Sequence, residues 1–159
     1  MEQKIVMYTD GGSRNNPGPA AIGVHVETLR KQYGHYIGEK TNNEAEYEAV
    51  IFGLKKIKQL IGKEKAKEYL IECYLDSEFV AKQLKHEYKV KEENIQKLFL
   101  EVWNLMLDFK EVKFNHIYRE KNKIADALVN QALDEKEKQA TLLWNSWFSQ
   151  FLIFEQVFQ

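Results

Sequence analysis

Four carboxylates stand where an apolar run ends or a helix begins. Asp10 follows the run KIVMYT (Lys4 to Thr9), and Asp76 follows YLIECYL (Tyr69 to Leu75). Glu46 and Asp126 fall in the first turns of two segments with helical spacing. In an open α/β sheet, strand ends and helix starts meet along one rim, where sites form. Carboxylates gathered there repel one another unless a cation neutralises them. Hard oxygen ligands without cysteine select Mg²⁺ or Mn²⁺. Two such ions, held about 3.5–4 Å apart, serve in-line phosphodiester chemistry. Each residue also has a plainer role open to it. Asp10 before Gly11-Gly12 suits a turn, Asp76 an N-cap, and Glu46 and Asp126 the positive end of a helix.

The elements that would position these residues follow from periodicity. Lys4 to Thr9 reads as a buried strand, closed by Asp10 and the loop GGSRNNPGP (Gly11 to Pro19). Ala20 to Thr28 and Lys31 to Gly38 read as a hairpin. Thr41 to Ile61 changes to helical spacing and opens on a T-x-x-E capping box, Thr41 with Glu44. Tyr69 to Leu75 is a strand, Ser77 to Leu84 a short helix, and Glu92 to Phe109 a longer one. Val112 to Tyr118 is a fifth strand, and Asn122 caps a last helix through Leu133. The order β-β-β-α-β-α-α-β-α predicts an α/β fold, with a mixed five-stranded sheet flanked by helices.

The 159 residues suit one domain, and 44% hydrophobic with 30% charged residues describes a globular chain. The single cysteine, Cys73, excludes an intrachain disulfide and a Cys-rich zinc site. No apolar run is long enough to span a membrane, and Met1 to Tyr8 lacks a secretory apolar core, so a cytoplasmic location is expected. The net charge of −1 does not favour binding nucleic acid by bulk charge, although lysines cluster from Lys82 to Lys97.

The chain resembles type 1 ribonuclease H at four motifs, all in the family's order. They are YTDGGSRNNPGPAAIG (Tyr8 to Gly23), TNNEAEYEAVIFGL (Thr41 to Leu54), YLDSEFV (Tyr74 to Val80) and HIYREKNKIADALVN (His116 to Asn130). The resemblance implies the ribonuclease H fold. It also implies endonucleolytic cutting of the RNA strand of RNA–DNA hybrids, leaving 5′-phosphate and 3′-hydroxyl ends. The family's metal-binding carboxylates fall on Asp10, Glu46, Asp76 and Asp126. One Mg²⁺ would activate the attacking water and a second would stabilise the leaving 3′ oxygen, with Mn²⁺ as a substitute. His116 stands where the family often has a histidine that assists proton transfer or product release. Tyr118, Arg119 and Glu120 replace a Gly-rich loop, as in a second subgroup. Arg119 is therefore a candidate for a phosphate or carboxylate contact, with a surface ion pair as the alternative.

Substrate choice must read the 2′-hydroxyl, which separates RNA from DNA. By resemblance the readers would be Asn16, Asn42 or Asn43 and the backbone of Gly11 and Gly12. Arg14 and Thr41 would touch phosphates of the DNA strand. Glu78, next to Ser77, stands where many members have glutamine; a carboxylate accepts a 2′-OH but donates nothing to it. Leu84 to Asn94 (LKHEYKVKEEN) is too short for the basic handle of many members. Grip would then rest on Lys82, Lys85, Lys89, Lys91 and Tyr88, and a side activity on RNA–RNA duplexes is expected.

The resemblance runs from about Ile5 to Leu133, so residues 1–138 are expected to form a catalytic domain and 139–159 an aromatic tail. Ala140, Trp144, Trp147, Phe151, Phe154 and Phe158 recur at alternating four and three, a heptad-like helical seam. The seam calls for a cover: its own domain, a second copy or a protein partner. Lacking Lys and Arg, the tail does not suit an anionic membrane. QFLIF (Gln150 to Phe154) loosely resembles a motif that docks on the bacterial sliding clamp. Two other functions fit the same fold: a non-catalytic hybrid-binding module and a junction-resolving or strand-transferring enzyme.

Overall fold

The computed structural model describes residues 3–157, with side chains through residue 148. Phe158 and the side chains of Phe151, Phe154 and the rest of QFLIF lie outside what the structure describes. Five strands form one sheet in the order β3-β2-β1-β4-β5. They are β1 (Gln3–Ser13), β2 (Gly18–Val26), β3 (Lys31–Lys40), β4 (Tyr69–Leu75) and β5 (Glu111–His116). The meander β1-β2-β3 is antiparallel, and β4 and β5 join it in parallel. The helices are α1 (Asn42–Ile61), α2 (Lys63–Ala66), α3 (Glu78–Leu84), α4 (Glu93–Met106) and α5 (Lys123–Val157). The mixed sheet flanked by helices agrees with the fold expected from the sequence. Among the described residues, no helix is long and apolar enough to cross a membrane.

Alternation along β2 divides the core. Ile22, Val24 and Val26 point into the main cluster with Tyr47, Val50 and Leu54 of α1, whereas Ala21 joins Val129, Ala132 and Leu133 of α5. Helices therefore cover both faces of the central strands. The start of α1 is fixed as its sequence predicts. Thr41 Oγ1 accepts from Glu44 N (3.2 Å), and Glu44 Oε2 accepts from Thr41 N (2.8 Å).

Among the boundaries that differ from expectation, those of the first strand and the last helix do so for a tertiary reason. Asp10 does not end β1. The strand runs on through Gly11, Gly12 and Ser13, which pair with Ile22, Ala21 and Ala20 of β2. Gly-Gly signals a turn only when no partner strand waits to pair with it. At the other end, α5 does not stop at Leu133; it is one helix of 35 residues. Leu133 is buried, but residues 134–148 are exposed, so the described part of the tail does not fold back on its own domain.

Close backbone approach sets the helix positions. A Cβ on Gly11 would sit 2.1 Å from the Ala45 carbonyl carbon of α1. Gly11→Ala is accordingly expected to push α1 off β1. The cost should be about 1–3 kcal/mol or more, because backbone cannot yield as a side chain can. That corresponds to a drop of about 2–4 °C in Tm per kcal/mol. An unchanged melting temperature would show that the contact is loose.

Candidate active site

Thr9 pairs with Leu75 in the parallel β1–β4 ladder, so Asp10 and Asp76 emerge side by side at one rim of the sheet. Glu46 reaches the same point because Gly11 lets the first turns of α1 rest on β1. One oxygen from each of Asp10, Glu46 and Asp76 lies within 4.8 Å of the others. The three form the floor of an open cleft of about 410 Å³, also lined by Gly11, Gly12, Arg14, Asn42, Arg119, Asp126 and Asn130.

The electrostatics of this floor are unfavourable without a cation. Burial, then the charges of Asp76 and Asp126, push Asp10 up to about 7. Burial and the neighbouring Asp10 and Asp76 hold Glu46 well above the usual carboxylate range. Asp76 is raised mainly by burial, against a hydrogen bond from Asn122 and the charge of Arg119. Glu46 Oε2 is buried and has no hydrogen-bond partner. An orphaned, dehydrated carboxylate oxygen among three clustered carboxylates fits a divalent cation, which takes oxygen ligands and removes the repulsion. Asp10, Glu46 and Asp76 together could hold a divalent cation.

Asp126 comes to the same cleft but not to the same cluster. Arg119 Nε (3.2 Å) and Nη2 (2.6 Å) both donate to its Oδ1. Asn130, one turn on, donates to the Asp126 carbonyl (2.9 Å) and more weakly to Oδ2 (3.4 Å). His116 ends β5 level with Leu75, exposed, with its ring edge-on to Tyr118 (6.0 Å). It does not line the cleft among the described residues.

The polar loop residues are tied to one another. Asn42 Oδ1 accepts from Ser13 N (2.9 Å) and Oγ (3.1 Å), while Asn16 Oδ1 accepts from Asn42 N (3.0 Å). Thr41 is engaged in the capping box, and Asn43 lies half-buried in the first turn of α1. Arg14 is paired with Asp134 and Glu137 of α5. Ser77 caps α3, its Oγ accepting from Val80 N (3.3 Å). Glu78 turns to Lys82 (2.7 Å) and not to the triad, and Lys82 also sits over the Tyr88 ring (5.1 Å). Residues 85–92 join α3 to α4, and Lys85 pairs there with Glu87 (2.9 Å).

Asn122 is a site residue that the sequence reading misassigned. It precedes α5, yet its side chain does not cap that helix. It is 1% exposed, and Nδ2 donates to the Thr9 carbonyl (2.9 Å). The same side chain favours the charged form of Asp76. Asn122 Oδ1 has no partner. Asn122 therefore links the end of β1 to the start of α5. A signal was available: polar residues at Asn122, Asp126 and Asn130 recur every fourth position, which puts them on one helical face.

A family model described as reverse transcriptase-like matches residues 8–132. A crystal structure of LC11 RNase H1 in complex with an RNA/DNA hybrid is 41% identical, with a TM-score of 0.78 over 83% of this chain and 98% of that one. A ribonuclease H of Polynucleobacter asymbioticus is 30% identical over 148 residues, covering 82% of this chain and 90% of the relative. A bifunctional protein of Mycobacterium tuberculosis is 34% identical over 142 residues, covering 86% of this chain. The chain spans only 37% of that mycobacterial relative's length.

Proposed function

We infer the function of this chain from its family: it belongs to the ribonuclease H family, and we propose that it hydrolyses the RNA strand of RNA–DNA hybrids. The observation that carries this reading is the meeting of Asp10, Glu46 and Asp76, with Glu46 Oε2 left orphaned, at the floor of an open cleft. The hybrid bound in the LC11 RNase H1 crystals supports the choice of substrate. A pure binding module would gain nothing from clustered carboxylates facing a phosphate backbone.

We assign Asp10, Glu46 and Asp76 as ligands of divalent cations, with Asp126 joining them once Arg119 releases it. Two Mg²⁺ ions, or Mn²⁺ in their place, would supply an activated water and a stabilised leaving oxygen. The chain's own groups do the rest. Asn122 favours the charged form of Asp76, the form a cation needs. Asn16 and Asn42 spend their side-chain carbonyls on the loop, which leaves their amide N–H groups to donate to a 2′-hydroxyl. Asn43 and the backbone of Gly11 and Gly12 complete that reading surface. Thr41 and Arg14 face the DNA-strand phosphates, with Ser77 and Glu78 at the start of α3. His116 is assigned to proton transfer or product release, and Arg119 to a phosphate or to Asp126. The products carry 5′-phosphate and 3′-hydroxyl ends. A cytoplasmic site of action goes with this reading.

A panel of labelled RNA–DNA, RNA–RNA and DNA–DNA duplexes, incubated with Mg²⁺ and then Mn²⁺, tests it. Cutting is expected in the RNA strand of the hybrid, with weaker cutting of RNA–RNA. A hybrid bound but left intact under both metals would make the chain a binding module instead.

We also propose that residues 1–138 are the catalytic domain and that 139–159 form a helical tail through which two copies associate. Leu142, Leu143, Trp144 and Phe148 are 47–72% exposed, and no charged residue falls between Lys138 and Glu155. A wide apolar helix face without charge suits a like surface. Sedimentation should show a dimer or larger species, and Trp144→Glu should shift it to monomer. A parent chain that is monomeric at high concentration would point instead to a protein partner, the sliding clamp among them.

A further inference from the structure

We propose that Asp134 and Glu137 of α5 form a carboxylate latch on Arg14, so that this arginine engages a substrate phosphate only by exchanging those two partners for it. The proposal rests on the hybrid-cutting function above. Arg14 Nη2 pairs with Asp134 Oδ1, and Nη1 with Glu137 Oε1. The two acids are three residues apart and so lie on one helix face, and each terminal nitrogen of the guanidinium is engaged by a different one. Arg14 nevertheless lines the same cleft as Asp10, Asp126 and Asn130.

The Arg14 backbone cannot follow a ligand. Its N–H donates to the Pro19 carbonyl (2.8 Å), and its own carbonyl lies so near Gly18 that a Cβ there would come within 2.0 Å. The next residue, Asn15, is held in the left-handed region at φ 68°. Only the side chain is free to swing between α5 and the cleft.

Charge decides what that swing does. Two carboxylates on one guanidinium leave a net negative mouth, which repels a phosphate. Arg14 released is a cation at the same place, with a planar fork that fits phosphate bidentately. The side chains of Arg14, Asp134 and Glu137 are 33%, 55% and 60% exposed, and exposed ion pairs of this kind are weak. The latch is therefore easily opened by a phosphate arriving in register, but it discourages loose, unregistered contact. It would act on affinity and on selection for correctly seated duplex, not on the chemical step.

A double-mutant cycle on hybrid binding tests this, read by fluorescence anisotropy with Mg²⁺ and with Asp10→Asn in every protein to prevent cutting. In the Arg14 background, Asp134→Asn with Glu137→Gln should tighten the Kd about five- to tenfold at roughly 50 mM salt. The same pair in an Arg14→Ala background should change it less than about twofold. The released variant should also show a steeper salt dependence than its Arg14→Ala counterpart, by about one phosphate. An equal gain in both backgrounds would reduce the effect to the field of two lost charges and overturn the latch. Weaker binding in the Arg14 background would overturn it too, since the carboxylates would then be aligning Arg14 for its contact. Melting temperatures within a degree or two of one another would establish that the variants are folded. Failure of every variant to bind the hybrid would overturn the hybrid-cutting function itself, and the latch with it.

Discussion

Asp10→Asn is expected to abolish cleavage of the hybrid and, in the absence of metal, to make the protein more stable. The two effects share one cause. Asp10 is buried against Glu46 and Asp76, and its proton is held up to about 7 instead of the ordinary 3.8. The folded chain keeps that proton at pH values where the unfolded chain has lost it. The stability it contributes is full below about pH 4, is lost as pH rises to about 7, and stays lost above. At about 1.4 kcal/mol per unit, the loss is on the order of 4 kcal/mol. Asparagine has no charge to bury, so at pH 8 the metal-free variant should melt higher than the parent by up to roughly 10 °C. At pH 4 the two should nearly coincide. Activity moves the other way. A missing metal ligand forfeits several kcal/mol of transition-state stabilisation, a fall of about a thousandfold or more. A variant that lost activity but also lost stability at pH 8 would place Asp10 in a structural role.

Mg²⁺ should stabilise the protein at pH 8 and hardly at all at pH 5. Its ligands must be deprotonated, and Asp10, Glu46 and Asp76 all hold their protons above the ordinary range. At a hundredfold excess over its Kd, a ligand adds about 2.7 kcal/mol, or about 5–10 °C for a chain of this size. The pH 8 shift should vanish in Asp10→Asn. Equal shifts at pH 5 and pH 8, or a shift that survives Asp10→Asn, would mean that the ion binds somewhere other than the triad.

Local rules made much of this molecule readable in the sequence. The strand Tyr69–Leu75 has the bounds that its apolar run suggests, and the Thr41–Glu44 capping box starts α1 where its spacing says. The acids at Asp10 and Asp76 stand out because each follows a buried run. What stayed hidden depends on neighbours distant in the chain. Gly11 and Gly12 look like a turn until β2 is beside them. Arg14 looks like a free cation until α5 supplies Asp134 and Glu137, whereas the pairing of Arg119 with a carboxylate was already among the readings of its sequence. Asn122 resembles an ordinary helix cap, and only the fold brings it to the Thr9 carbonyl. The length of α5 escaped for a different reason: the apolar stripe that faces the sheet ends at Leu133, while helical propensity carries the backbone onward to Val157.

Gly23 and Gly34 are partners across the β2–β3 ladder, and α5 lies on both. A Cβ on Gly23 would come 2.1 Å from the Ala125 carbonyl oxygen, and one on Gly34 would come 2.8 Å from that of Leu128. The sheet thus has a keyway cut for two carbonyls one turn apart. A helix seated by its main chain cannot roll or slide by one residue, because each step turns it by about 100° and drives other atoms at the slot. The bearing of Asp126 is therefore set by backbone registration and not by the packing of Val129, Ala132 and Leu133. Sequence drift in those side chains, or a change of length in the loop before Lys123, would loosen or tighten α5 while leaving its acid aimed at the cleft.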